Sequence, residues 1–147
     1  MRKCNQCGIQ LGWHDGQLSN IVQRPKTISE LLCYPCYHEK RRLLDLVRFH
    51  NYRARKLGLI GTLTVEQWLA AQADFNGKCA YCQEDKGDVL EHFIPLRYGG
   101  GTVRGNIVPA CDTCNRKKIG QHPSITKNIP QEDIERVRQY LMSFRKS

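Results

Sequence analysis

At 147 residues, with 25% charged and 40% hydrophobic residues, the chain has the size and mix of one folded domain or of two small metal-stapled modules. It holds no apolar run of about 18 residues, which excludes a membrane-spanning helix. Its opening, Met1-Arg2-Lys3-Cys4, lacks the apolar core of a signal peptide, so cytoplasmic residence and no membrane partner are expected. The net charge of +9 is uneven: residues 1–57 hold 11 Lys/Arg against 4 Asp/Glu, and residues 58–147 hold 12 against 10. An excess of this sign points to a polyanion, and a phosphate backbone is the usual one.

Residues 1–37 carry Cys4-Asn5-Gln6-Cys7 and Cys33-Tyr34-Pro35-Cys36 around a polar stretch without clear periodicity. The segment is too short to build a core alone, so metal binding is expected to supply much of its folding energy. Residues 38–62 form a basic linker. It reads as a helix over residues 38–57 ending near Gly58, with Leu43, Leu46 and Val47 on one face. Lys40, Arg41, Arg42, Arg48, Arg53, Arg55 and Lys56 make it a candidate phosphate-contacting helix; a merely solvated linker is the alternative.

The third region, residues 63–147, opens on Thr64-Val65-Glu66-Gln67, a capping box with Thr64 as N-cap. Trp68 and Phe75 read as core residues of the helix that follows, which Asn76-Gly77 stops. A last helix begins at Pro130, with acids in its first turn as the helix dipole favours and an apolar stripe of Ile134, Val137, Leu141 and Phe144.

All eight cysteines fall in Cys-x-x-Cys pairs, none left over: Cys4/Cys7, Cys33/Cys36, Cys79/Cys82 and Cys111/Cys114. A disulfide framework does not need that spacing, whereas four thiolates around a tetrahedral zinc use it, because each pair forms a tight knuckle presenting two sulfurs to one ion. Sequence order pairs Cys4, Cys7, Cys33 and Cys36 as one zinc site and Cys79, Cys82, Cys111 and Cys114 as another; cross-pairing between the modules is the alternative. His38, two residues past Cys36, is a spare ligand. Four thioredoxin-like redox pairs in so short a chain are the weaker alternative.

Between the last two pairs run Val89-Leu90-Glu91-His92-Phe93-Ile94-Pro95, Gly99-Gly100-Gly101 and Asn106-Ile107-Val108-Pro109, then Cys111-Asp112-Thr113-Cys114-Asn115-Arg116-Lys117-Lys118. The pattern predicts two short strands, a Gly-rich loop between them and a short helix. Residues 79–120 resemble the HNH endonuclease family, whose fold is the ββα-metal finger. The resemblance rests on the acid-His pair, the Gly-rich loop, the Asn opening the second strand and Cys-x-x-Cys-Asn-x-x-Lys taken in order. It implies an α+β protein: a small zinc-stapled ββα-metal domain with flanking helices, preceded by the N-terminal Cys4 module.

The resemblance also implies roles. His92 matches the general base, Glu91 and Asn115 the ligands of a catalytic divalent ion, and Asn106 the residue that orients loop and base. The chemistry agrees: a neutral imidazole deprotonates water near neutral pH, and a carboxylate with an amide oxygen suits Mg²⁺ or Mn²⁺, while thiolates suit Zn²⁺. Two features depart from the common pattern. The motif ends in Asn where His is usual, and Glu91 stands where Asp is common. There is also a geometric demand, since neighbours on a regular strand face opposite ways; for Glu91 and His92 to serve one site the strand must distort there. Arg97, Arg116, Lys117 and Lys118 are expected on the phosphate side. The function implied is metal-dependent cleavage of DNA, most simply double-stranded. The alternatives are a non-catalytic zinc-ribbon DNA-binding or adaptor protein and an RNA-directed nuclease.

Overall fold

The structure, a computed structural model, describes residues 2–11, 13–14, 17–18 and 32–145. It divides into two compact units, Met1–Leu46 and Val47–Ser147. The architecture is mixed α and β, with small two-stranded sheets, flanking helices and two four-cysteine clusters.

In the first unit, strands β1 (Arg2–Lys3) and β2 (Gln10–Leu11) pair antiparallel, Arg2 opposite Leu11. The Cys4–Cys7 knuckle joins them. Gly8 turns the chain back with a φ of +74°, donating its N–H to Cys4 O at 2.9 Å; a positive φ costs glycine little. Strands β3 (Trp13–His14) and β4 (Gln17–Leu18) make a second hairpin. Most of the polar stretch between the first two cysteine pairs, residues 19–31 included, lies outside the described residues. Cys4, Leu11 and Cys33 are buried together, with Leu32 and Cys36 packed against them.

Helix α1 (Tyr34–Lys56) begins four residues earlier than the sequence pattern indicates. Pro35 is the reason: in a first turn its missing N–H is not needed and its fixed φ suits the helix. Cys36 therefore sits inside α1. The division between units falls within this helix rather than at either end of it.

In the second unit, α1 continues with Val47, Asn51 and Ala54 buried. Asn51 clamps the chain that follows the helix: its Nδ2 donates to Leu63 O at 2.8 Å and its Oδ1 accepts from Leu63 N at 3.1 Å. Helix α2 (Val65–Asp74) starts with both bonds of the capping box, Gln67 N to Thr64 Oγ1 and Thr64 N to Gln67 Oε1, each 3.1 Å. Trp68 is buried and Phe75 packs against the main core.

Strands β5 (Val89–His92) and β6 (Ile107–Ala110) pair antiparallel in unbroken register, from Val89 opposite Ala110 to His92 opposite Ile107. Helix α3 (Asp112–Lys118) follows, with Cys111 as its N-cap. The ββα order read from the sequence is thus present. Helix α4 (Gln131–Met142) buries Ile134, Val137 and Leu141 against Tyr81, Phe93, Val108 and Ala110. Phe144 lies past its end, where its ring sits 4.0 Å from the Arg104 guanidinium. No helix among the described residues is long and apolar enough to cross a membrane.

Candidate active site

His92 is the last residue of β5, and Asn106 stands just before β6. Between them the chain makes a short helical turn (Leu96–Tyr98), the glycine run and a second turn (Arg104–Asn106). Asn106 is buried and ties this loop at both ends. Its Oδ1 accepts from Ile94 N at 2.8 Å, and its Nδ2 donates to Ile94 O and Gly101 O, each at 2.9 Å. Gly100 is required by the same closure: a Cβ there would stand 1.9 Å from Ile94 O.

The closed loop presents Thr102 to His92. The Thr102 hydroxyl is fully buried and donates to the backbone carbonyl of His50 on α1 at 3.1 Å. Its single proton is thereby used. It lies 2.8 Å from His92 Nε2, so it accepts there, and Nε2 is the protonated nitrogen. The ring's basic lone pair is then on Nδ1. His50 stacks obliquely on His92, with ring centroids 5.3 Å apart and planes at 47°. Burial, aided by the charges of His50, Arg53 and Lys118, pushes His92 down to about 3. Burial and then Arg53 push His50 down to about 4. Both rings are neutral at physiological pH.

Glu91 goes elsewhere. Because β5 stays regular through His92, successive side chains leave on opposite faces. Glu91 is 5% exposed. Its Oε2 accepts from Tyr81 Oη at 2.6 Å, and its Oε1 is 2.6 Å from Lys118 Nζ. Lys118 is 0% exposed and spends its two other protons on His92 O at 2.9 Å and Phe93 O at 2.8 Å. Burial raises the Glu91 carboxyl above its ordinary value, while Lys118 and Tyr81 pull it back. The same burial, with Glu91 beside it, holds the Tyr81 phenol well above its usual range.

Two expectations change. Lys118 is not a phosphate contact: at helical spacing after Cys114 it points into the core, where three acceptors use all its donors. A hard divalent ion does not fit at Glu91 either. Each carboxylate oxygen already holds a donor, and an ion there would sit against an ammonium 2.6 Å from the same oxygen. Asn115 lies on α3, half-buried.

The other basic residues expected to contact phosphate are exposed. Lys40, Arg41 and Arg42 lie on the part of α1 in the first unit, where Arg41 pairs with Asp45 and Arg42 with Glu39. Arg48, Arg53, Arg55 and Lys56 lie on the part in the second unit. Arg97 covers the Tyr98 ring at 5.0 Å, Arg116 pairs with Asp112 and Lys117 is exposed. Sequence reasoning missed Thr102, His50 and Tyr81. His50 carries a weak signal, since with Asn51 it interrupts the buried side of α1. A threonine after a glycine run carries none.

The cysteine quartets assemble as sequence order pairs them. In each, the four sulfurs lie within 4.8 Å of one another, and no cysteine is in a disulfide. The Cys7–Cys33 and Cys82–Cys111 sulfurs stand 3.6 and 3.9 Å apart. Tetrahedral zinc at about 2.3 Å from each thiolate needs an edge of about 3.8 Å, so each quartet can hold one structural Zn²⁺. Elemental analysis is expected to find about two zinc ions per chain on this four-ligand rule, and removal by a strong chelator should unfold the first unit first, as its core among the described residues is the smaller. Folded, zinc-free protein would contradict this.

This geometry coincides with a recognised sequence pattern. Residues 79–128 match the family model of the HNH endonucleases. The match takes in both cysteine pairs of the second site, Glu91, His92, Thr102, Asn106 and Asn115, but under half of the chain. The chain is also similar to the SPbeta prophage protein YoqL of Bacillus subtilis (strain 168), whose name places it with the HNH endonucleases. The two are 28% identical over 126 residues, 74% of this chain and 53% of the relative. The chain therefore spans about half the length of that relative.

Proposed function

We propose that the second unit hydrolyses phosphodiester bonds of DNA, with His92 as general base. One observation carries the reading: in a segment that matches the HNH endonucleases, His92 is held neutral with its Nε2 proton bound by Thr102. Nδ1 then takes a proton from water, the water oxygen bonds to phosphorus, and the bond from phosphorus to the leaving sugar oxygen breaks. Solvent protonates the departing oxygen. Asn106 acts through the loop, holding Thr102 in place. Arg53, whose charge reaches both histidines, is suited to the charge that builds on the phosphate. No step is routed through an ion at Glu91.

Purified protein should be incubated with supercoiled plasmid and with linear RNA, each in Mg²⁺, Mn²⁺ or EDTA. Cleavage of plasmid is expected. Absence of cutting on every substrate would leave the non-catalytic zinc adaptor as the better reading. Charge reversal of Arg48, Arg53 and Arg55 to Glu should weaken DNA binding and flatten its salt dependence, because fewer counterions are released. Unchanged affinity and slope would show these cations to be solubilising only.

A further inference from the structure

We infer that the C-terminal half of α1 is a stacking platform for unpaired nucleotides beside the reacting phosphate. The preferred substrate is then nucleic acid with single-stranded or extruded bases near the cut. This deepens the proposed nuclease reading and rests on it for the position of the cut.

Phe49 and Tyr52 are each 57% exposed on this helix. Rings of that size usually bury most of their surface. Spaced i, i+3, i+4 and i+7, Phe49, Tyr52, Arg53 and Lys56 line one stripe. Each ring has a cation of its own: Arg53 lies 5.6 Å from the Phe49 centroid and Lys56 5.9 Å from that of Tyr52. Arg48 and Arg55 flank the stripe, both exposed. No acid occurs between Asp45 and Glu66. The surface is therefore aromatic, apolar and purely cationic, the combination that follows a phosphate chain while stacking its bases. A second copy of a chain carrying +9 has the wrong charge for it.

The platform is fixed against His92. Thr102 is bonded to His50 O and to Ile60 O, the latter through its N–H at 2.8 Å. Asn51 holds Leu63 from the same helix. The Phe49 ring touches the His50 ring at 5.4 Å, and His50 touches His92. Bases inside a duplex have both faces covered by neighbours, so the rings gain nothing from an intact duplex, while the cations bind either form.

The test measures binding on the full zinc-loaded chain carrying His92→Ala, so that cleavage does not enter. The probes are a fluorescent 12-nucleotide single strand, a blunt duplex and the same duplex with a central unpaired bulge. Phe49→Leu/Tyr52→Leu should lose on the order of 10–100-fold in affinity for the single strand and the bulge. Duplex affinity should change less than about threefold and the salt slope should stay the same, since no charge is removed. Phe49→Tyr/Tyr52→Phe should bind like the parent. Tyr52→Leu alone, which leaves the ring against His50 untouched, should give a partial loss of the same selectivity. An equal loss on all three probes, or none, overturns the inference. So does a concentration-dependent dimer of the parent that the leucine variant abolishes, which would make the face a protein contact. Ring-dependent single-strand binding in a wild type that cuts nothing would sink the nuclease reading and leave the platform standing.

Discussion

Replacing His92 with alanine is expected to lower phosphodiester cleavage roughly 10²–10⁴-fold, the usual worth of general-base assistance, while zinc content and DNA affinity persist. The pH dependence is a sharper signature. A free imidazole would lose its basic form below about pH 6.5, but burial holds His92 down near 3. The acid limb due to this group should therefore lie well below pH 6, read as kcat/KM against pH on plasmid. The sign for stability is opposite in feel but follows from the same shift. Below the unfolded pKa the unfolded chain takes up a proton that folded His92 refuses, so stability falls as the pH drops towards 3. Thr102→Val should cut the rate by removing the acceptor for Nε2–H, and Thr102→Ser should restore it. Nitrogen NMR on the imidazole should show the Nε2–H form in wild type and a mixture in the valine variant. Wild-type cutting by His92→Ala would overturn the assignment.

Lys118→Met is expected to destabilise the second unit strongly. It strands a carboxylate that is 5% exposed and removes the donors to the carbonyls of His92 and Phe93. Breaking a buried pair in this way costs roughly 3–5 kcal/mol, a fall in melting temperature of well over about 10 °C in a unit of this size. Glu91→Met/Lys118→Met should recover much of the loss, since apolar replacement of both partners removes the stranded charge. Thermal unfolding of the single and double variants decides the matter. A Glu91→Ala variant that melts like wild type, loses cleavage and regains it with added Mn²⁺ would instead make Glu91 an ion ligand.

The helix capped by Thr64, the ββα order and the two cysteine quartets were legible in the residues alone. Each rests on local rules: a capping box closes within one turn, strands of four residues announce themselves by their flanking glycines and prolines, and a Cys-x-x-Cys knuckle has one favoured use. That Asn106 orients the loop was implied by the family resemblance; its partners, Ile94 and Gly101, came only with the fold. What a carboxylate or an ammonium does is not local. Lys118 reads as one more surface cation in Arg116-Lys117-Lys118, yet one turn of helix sends it inward, because helical spacing after Cys114 and the available acceptors are set by tertiary packing. Glu91 and His92 are neighbours in sequence and part company in space, since the ladder to β6 keeps β5 regular to its end. Thr102 and His50 stand 52 residues apart and meet only because α1 folds back over the loop. The residue types and the candidate histidine thus belong to the sequence itself; the nitrogen that carries its proton, and the partner of the acid beside it, were decided by which groups the fold buries together.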